Sequence, residues 1–179
     1  NIHDDIRLMG KNYGNIDYLK LENFFLERIY QFFDANPSVI KAVVSSGERD
    51  ILKLSLKIEA LKNIANSSDF KEVFSTFKRV ANIIKDLDIN EDTTVDNDMF
   101  TQNEEKILFD EFISKSSKDY DTYEEKLDAL FGLKPQIDNF FDNVMVNVED
   151  TKVKRNRLNL IASIYKEFRL IADIKEITL

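Results

Sequence analysis

The sequence predicts an all-α fold, an irregular helical bundle of seven or eight helices. Two observations carry that class. Only four glycines and two prolines punctuate the 179 residues, fewer than the turns of a β-sandwich or an α/β sheet require. The apolar residues, 43% of the chain, recur at three- and four-residue spacing in one segment after another, which is the period of an amphipathic helix. The length suits one compact domain with an additional arm. No repeat period recurs, so a solenoid is not expected.

Residues 1–15 are polar and carry Gly10 and Gly14; they are expected to be a connector from upstream domains, with the helical region covering 16–179. Asp17 is the expected N-cap of a first helix. Its apolar stripe is Leu19, Phe24, Phe25, Ile29, Phe32 and Phe33. Pro37 stops it, because the residue before a proline avoids the helical region, and a short helix over Ser38–Val44 follows. After the Ser45-Ser46-Gly47 turn, Glu48–Asn66 reads as a helix. Ile51, Leu52, Leu54, Ile58, Leu61, Ile64 and Ala65 face inward, and Lys53, Lys57 and Lys62 fall mainly off that stripe. The next helix, over Asp69–Leu87, buries Phe70, Val73, Phe74, Phe77, Val80, Ala81 and Ile84. It presents Lys71, Lys78, Arg79, Asn82 and Lys85 on its other side.

Residues 89–103 have no helical period and are rich in acids, Asn and Thr. They are expected to be an acidic loop joining two subassemblies, of a length that goes with mobility. Helices follow over Glu104–Ser116, with Ile107, Leu108, Phe112 and Ile113 inward, and over Tyr120–Phe131. Gly132 is the expected C′ residue, and Pro135 opens the next helix, which ends near Val146. The last helix runs from Thr151 to about Ala172 and packs through Val153, Leu158, Ile161, Ile164, Tyr165, Phe168 and Ile171. Fourteen phenylalanines supply the core volume, each worth about 1.5–3 kcal/mol of transfer free energy when fully buried.

Composition excludes several chemistries. Cysteine is absent and His3 is the one histidine, which removes disulfides, thiolate or imidazole metal centres and a Ser-His-Asp triad. No phosphate-binding glycine loop occurs. No apolar run reaches the roughly 18–20 residues that span a bilayer, so no membrane partner is expected, and lack of cysteine is compatible with a reducing cytoplasm. The chain begins at Asn1 without a signal-peptide pattern and is expected to be part of something longer. The net charge of −8 is uneven. Asp86–Lys126 holds fourteen acidic against four basic residues, whereas Lys152–Lys175 holds seven basic against two acidic. A polyanion meets the local potential rather than the mean.

Several strings carry a family resemblance. GLKPQIDNFFDNVMVNVED, RNRLNLIASIY and IADI, preceded in order by FFLERI (Phe24–Ile29) and FKRVANI (Phe77–Ile83), resemble the C-terminal region of the bacterial glycyl-tRNA synthetase beta subunit. The resemblance covers about Leu21–Ile177. It does not extend over residues 1–20, and the acidic loop departs from the more regular family pattern. It implies a DALR-type helical anticodon-binding domain, related to that of arginyl-tRNA synthetase. It also implies an alpha2-beta2 enzyme in which alpha activates glycine with ATP and transfers it to tRNA-Gly. This chain would then bind tRNA, with no catalytic residue, metal or cofactor of its own. The alternative is a structural module that makes contacts within beta or with alpha.

With tRNA as the implied ligand, Lys152, Lys154, Arg155 and Arg157 at the start of the last helix are candidate phosphate contacts. The helix N-terminus adds free N–H groups that favour anions. The competing reading is a solvated face, with Arg157 holding the packing through Asp138 or Asp142. Lys78, Arg79 and Asn82 are further candidates. The preferred reading there is packing, with Arg79 joining two helices through an acidic partner and Asn82 bonded to a loop carbonyl. Phe140, Phe141 and Tyr165 are candidates for base stacking, against core burial of at least one phenylalanine. Tyr120 and Tyr123 are expected to be more exposed. Glu104-Glu105 and Glu124-Glu125 read as solvated faces, because adjacent helix residues diverge.

Overall fold

Asp17 accepts a hydrogen bond from the Lys20 N–H and so opens α1, Tyr18–Phe32. Asn36 caps α2, Pro37–Ser45, with Pro37 in its first turn, where the missing N–H costs nothing. Gly47, at φ 92°, turns the chain toward α3, Ile51–Ala65, whose N-cap is Asp50. α4 is Phe70–Ile83, α5 Asn103–Ser116, α6 Tyr123–Phe131, α7 Lys134–Asn143 and α8 Thr151–Arg169, with 3₁₀ turns at Asn97–Met99 and Ile174–Glu176. This computed structural model describes residues 4, 5, 7, 8, 17–88 and 93–178, apart from the side chains of Tyr18 and Leu19. No strand occurs among the described residues. Most of the expected connector, the Leu19 side chain and residues 89–92 of the acidic loop lie outside them.

The core centres on three rings from three helices. Phe77 of α4, Phe131 of α6 and Phe168 of α8 lie 5.1, 4.6 and 5.0 Å apart, centroid to centroid. Such tilted and edge-on pairs add about 0.5–1.5 kcal/mol each beyond area burial. α4 packs on α7 and α8, α3 on α2 and α6, and α5 on α6, α7 and α8. The C-terminal segment closes the molecule over α2. The Asp173 N–H donates to Ala42 O at 2.8 Å, and Lys41 pairs with Glu176 at 2.6 Å.

The sequence-based element boundaries agree with the structure to within a few residues. Several inward assignments do not. Phe24, Phe25 and Phe32 on α1, Ile51 and Leu52 on α3, and Ile107 and Ile113 on α5 are exposed. Lys57, expected off the α3 stripe, is buried. Its ammonium donates to Leu170 O at 2.7 Å and pairs with Glu48 at 2.9 Å, tying α3 to the C-terminal end of α8. Asp69 occupies the N-cap of α4 without a side-chain cap bond. Gly132, expected at C′, is the C-cap of α6 and is right-handed at φ −63°. A Cβ there would sit 3.2 Å from Ala129 O and 3.3 Å from Asp128 O, both carbonyls of the last turn of α6.

Candidate nucleic-acid interface

α4 turns its apolar residues to the core and leaves Lys71, Ser75, Lys78, Arg79 and Asn82 exposed on one side, with Lys85 just beyond its end. Glu72 is the acid within this helix face, and Lys134 of α7 holds it at 3.1 Å. Arg79 links α4 to α7 as expected of a packing residue, but through a ring. Its guanidinium carbon stands 4.4 Å from the centroid of Phe141. The Lys78 ammonium lies 5.6 Å from the Phe74 ring. Such contacts restrain the cations and leave their charge available. Asn82 is exposed.

The start of α8 is built differently. Asp150 caps it, accepting from the N–H groups of Lys152 and Val153 at 2.9 and 3.1 Å, so the anion-favouring end is already served by a carboxylate. Lys152 is exposed, while Lys154 and Arg155 are half-buried. The segment expected as a mobile acidic loop is bonded along this helix over residues 93–96. The Asp96 N–H donates to Asn156 Oδ1 at 2.8 Å, and Asn156 Nδ2 returns a bond to Asp96 O at 2.9 Å. Asn159 Nδ2 donates to Thr94 O at 2.8 Å, and the Lys166 ammonium reaches Thr93 Oγ1 at 2.9 Å. This strap holds the Asp96 backbone against Asn156, so an acidic residue sits beside the N-terminal half of α8.

Arg157 is not at the surface. Its Nε donates to Glu105 Oε1 at 2.9 Å, Nη1 to Met145 O at 2.8 Å and Nη2 to Thr101 Oγ1 at 2.7 Å. The expected packing role is right, but the expected partners, Asp138 and Asp142, are not. Asp138 instead accepts from Thr76 and Lys134, at 2.7 Å each. Glu105, read from sequence as part of a solvated acidic pair, also accepts from the Thr101 and Gln102 N–H groups at 2.9 and 2.8 Å. Burial pushes its carboxyl up, but Arg157 and those two N–H groups outweigh burial and hold it below the ordinary carboxylate range. The local signal was Glu105 three residues after the N-cap Gln102, a reciprocal-cap position.

The aromatic candidates are closed to bases. Phe140 and Tyr165 are fully buried, Tyr165 donating to Asp173 Oδ1 at 2.7 Å, and Phe141 lies beneath Arg79. Tyr120 and Tyr123 are half-buried; the Tyr120 hydroxyl donates to Lys115 O at 2.9 Å, and Tyr123 faces the Lys57 ammonium. A groove beside them carries Glu59, Asp119, Asp121 and Glu124 against Lys118 and Lys126, a lining that is acidic on balance. Among the described residues no carboxylate cluster suits a metal, and no helix is long and apolar enough to cross a membrane.

Fold and surface thus define an all-helical module with one open cationic helix face and a second basic patch under an acidic strap. The chain belongs to the DALR anticodon binding domain family, whose model matches residues 73–177. It is 36% identical to the glycine–tRNA ligase beta subunit of Helicobacter pylori (strain G27), over 93% of this chain and 24% of that protein. The beta subunits of Sulfurihydrogenibium sp. (strain YO3AOP1) and Thermotoga maritima are 36% and 33% identical over 90% and 87% of the chain. The chain spans about a quarter of the length of these curated relatives. The matched region includes Lys78, Arg79, Asn82, Glu105 and Arg157, and leaves α1–α3 outside the family model.

Proposed function

We propose that this chain is the tRNA-binding module of a glycine–tRNA ligase beta subunit. It holds the anticodon region of tRNA-Gly while an alpha subunit, in an alpha2-beta2 assembly, attaches glycine at the expense of ATP in the cytoplasm. The module itself supplies no catalytic group, metal or cofactor; ATP is used by the whole enzyme. The observation that carries the reading is the coincidence of the DALR match with the α4 face, where Lys78, Arg79 and Lys85 lie on solvent within residues 73–177. Lys71 extends that face by two helical turns from Lys78, about 10 Å at 1.5 Å per residue. Lysine and arginine neutralise phosphates and release counterions, which supplies affinity. Asn82, between them, offers an amide to a base edge. Lys152, Lys154 and Arg155 form a second, weaker contact because of the strap beside them, and Arg157 acts by holding the fold.

Filter binding of tRNA-Gly to the whole enzyme across a salt series tests this. Lys78→Ala with Arg79→Ala is expected to weaken binding and flatten the salt dependence by roughly 0.7–0.9 per lost phosphate contact. Lys152→Ala, Lys154→Ala and Arg155→Ala together are expected to flatten it less. Unchanged affinity and slope in both sets would remove these faces from the RNA interface.

A further inference from the structure

α1 is apolar on two sides. One side, Ile29 with Leu26 and Phe33, packs against the core. The other carries Phe24, Phe25 and Phe32, which are 44%, 40% and 79% exposed, with Arg28 between them. The spacing i, i+1, i+4, i+8 places these four residues within about 100° of helix surface. The Arg28 guanidinium lies 3.6 Å over the Phe24 ring, and Phe24 and Phe25 meet edge to face at 5.9 Å. A helix with apolar residues on two sides is ordinarily covered on both, and three phenylalanines on one exposed stripe are not scattered surface residues.

We propose that this stripe seats another segment of the same, longer polypeptide, beyond these 179 residues. The proposal rests on the beta-subunit reading above. Two observations select that occupant. The stripe lies outside the 73–177 match, so it is not part of the anticodon-domain pattern. It is nevertheless part of the beta-subunit sequence, because an aligned 93% of the chain is too large a share to leave out α1. The relatives are about four times as long as this chain, and a segment tethered in the same polypeptide meets the stripe at a high effective concentration that a free partner lacks. RNA suits the stripe poorly. Its one cation, Arg28, is stacked on Phe24, and Glu27 is exposed beside it.

The division of labour is then spatial. The α4 face meets RNA, and α1 fixes the module on the rest of its own subunit.

The test is photocrosslinking in the full-length subunit, with p-benzoylphenylalanine in place of Phe25 or Phe32 and, as a control, in place of Asn23 on the polar side of α1. The expected result is an intramolecular crosslink from Phe25 and Phe32 positions to peptides outside this chain, mapped by mass spectrometry, and none from the Asn23 position. Crosslinks to a second copy, to another subunit or to RNA, or no crosslink at all, would overturn the proposal. The mass of the purified polypeptide tests the underlying reading separately. A polypeptide consisting of these 179 residues alone defeats the beta-subunit assignment, whereas a longer one with crosslinks elsewhere defeats the docking proposal alone.

Discussion

Arg157 Nε donates to Glu105 Oε1 across 2.9 Å, with only 5% of the arginine side chain and none of the glutamate side chain open to solvent. The pair joins α8 to α5. Through Met145 O and Thr101 Oγ1 it also fixes the α7–α8 connection and the entry to α5. Every hydrogen bond in the cluster is charge-assisted, and removing either partner strands the other in the interior.

Arg157→Met is therefore expected to destabilise the protein by about 3–5 kcal/mol, because an uncompensated carboxylate remains buried. Adding Glu105→Leu should recover much of that loss, since an apolar pair of similar volume often replaces a buried ion pair at little cost. Urea denaturation of the two single variants and the double variant measures the coupling. Strictly additive losses would mean that the pair does not act as a unit.

Acid should unfold the protein in a window set by two carboxylates. At Glu48, burial pushes the carboxyl up, but the Asp50 N–H, the Lys57 ammonium and the Arg49 N–H outweigh it and hold the group at about 2, against an ordinary 4.5. Glu105 is also lowered. A carboxyl depressed in the folded state contributes stability above its unfolded value, and that contribution disappears as pH falls through the folded value. The melting temperature is thus expected to hold above about pH 4.5 and to drop from there toward pH 2. Glu48→Gln should lower stability at neutral pH and flatten the decline. A decline in that variant as steep as in the parent would assign the acid sensitivity elsewhere.

These couplings mark where the sequence stops being informative. Helical period, turns and prolines placed the helices well, and Asp17 caps α1 as expected; Asn36, Asp50, Thr122 and Asp150 cap the helices that follow them without having been singled out from sequence. Helical period also located the α4 and α8 core faces. It misplaced Phe24, Phe25 and Phe32, because period identifies an apolar stripe without saying whether this chain or another segment covers it. Lys57 was misplaced for the converse reason. Its ammonium is buried only because Leu170 O and Glu48 meet it there. The partner of Arg157 lies 52 residues away, beyond any local pattern, and the carboxylates nearer in sequence were the wrong choice. The strap was invisible for the same reason: Asn156 and Asn159 look like surface polar residues until Asp96 and Thr94 are packed against them.

The stacking of Arg79 on Phe141 yields a prediction that separates charge from placement. Phe141→Leu keeps every charge and removes the ring beneath the guanidinium. If Arg79 contacts phosphate, the variant should bind tRNA-Gly more weakly, by roughly 0.5–1 kcal/mol, with the salt slope kept. Arg79→Ala should lose more affinity and flatten the slope as well. Both are read from the same filter-binding series, and a Phe141→Leu variant that binds like the parent would show that the ring does not position Arg79 for RNA.

The strap supplies the complementary case, in which removing charge should improve binding. Asp96 and Asp98 lie on the segment bonded to Asn156 and Asn159, and the Asp96 side chain accepts from the Asp98 N–H at 3.0 Å. Asparagine preserves that acceptor, so Asp96→Asn with Asp98→Asn should leave the strap in place and remove two negative charges from the segment that runs along α8. An exposed charge at roughly 10 Å acts with a few tenths of a kcal/mol in water, so affinity should rise about twofold per charge at low salt. The gain should fade as the Debye length shortens from about 10 Å at 0.1 M toward 3 Å at 1 M. A gain that persists at high salt would point to a rearranged strap instead of relieved repulsion. No gain at low salt would place the RNA away from the start of α8, leaving Lys78 and Arg79 of α4 as the principal contact.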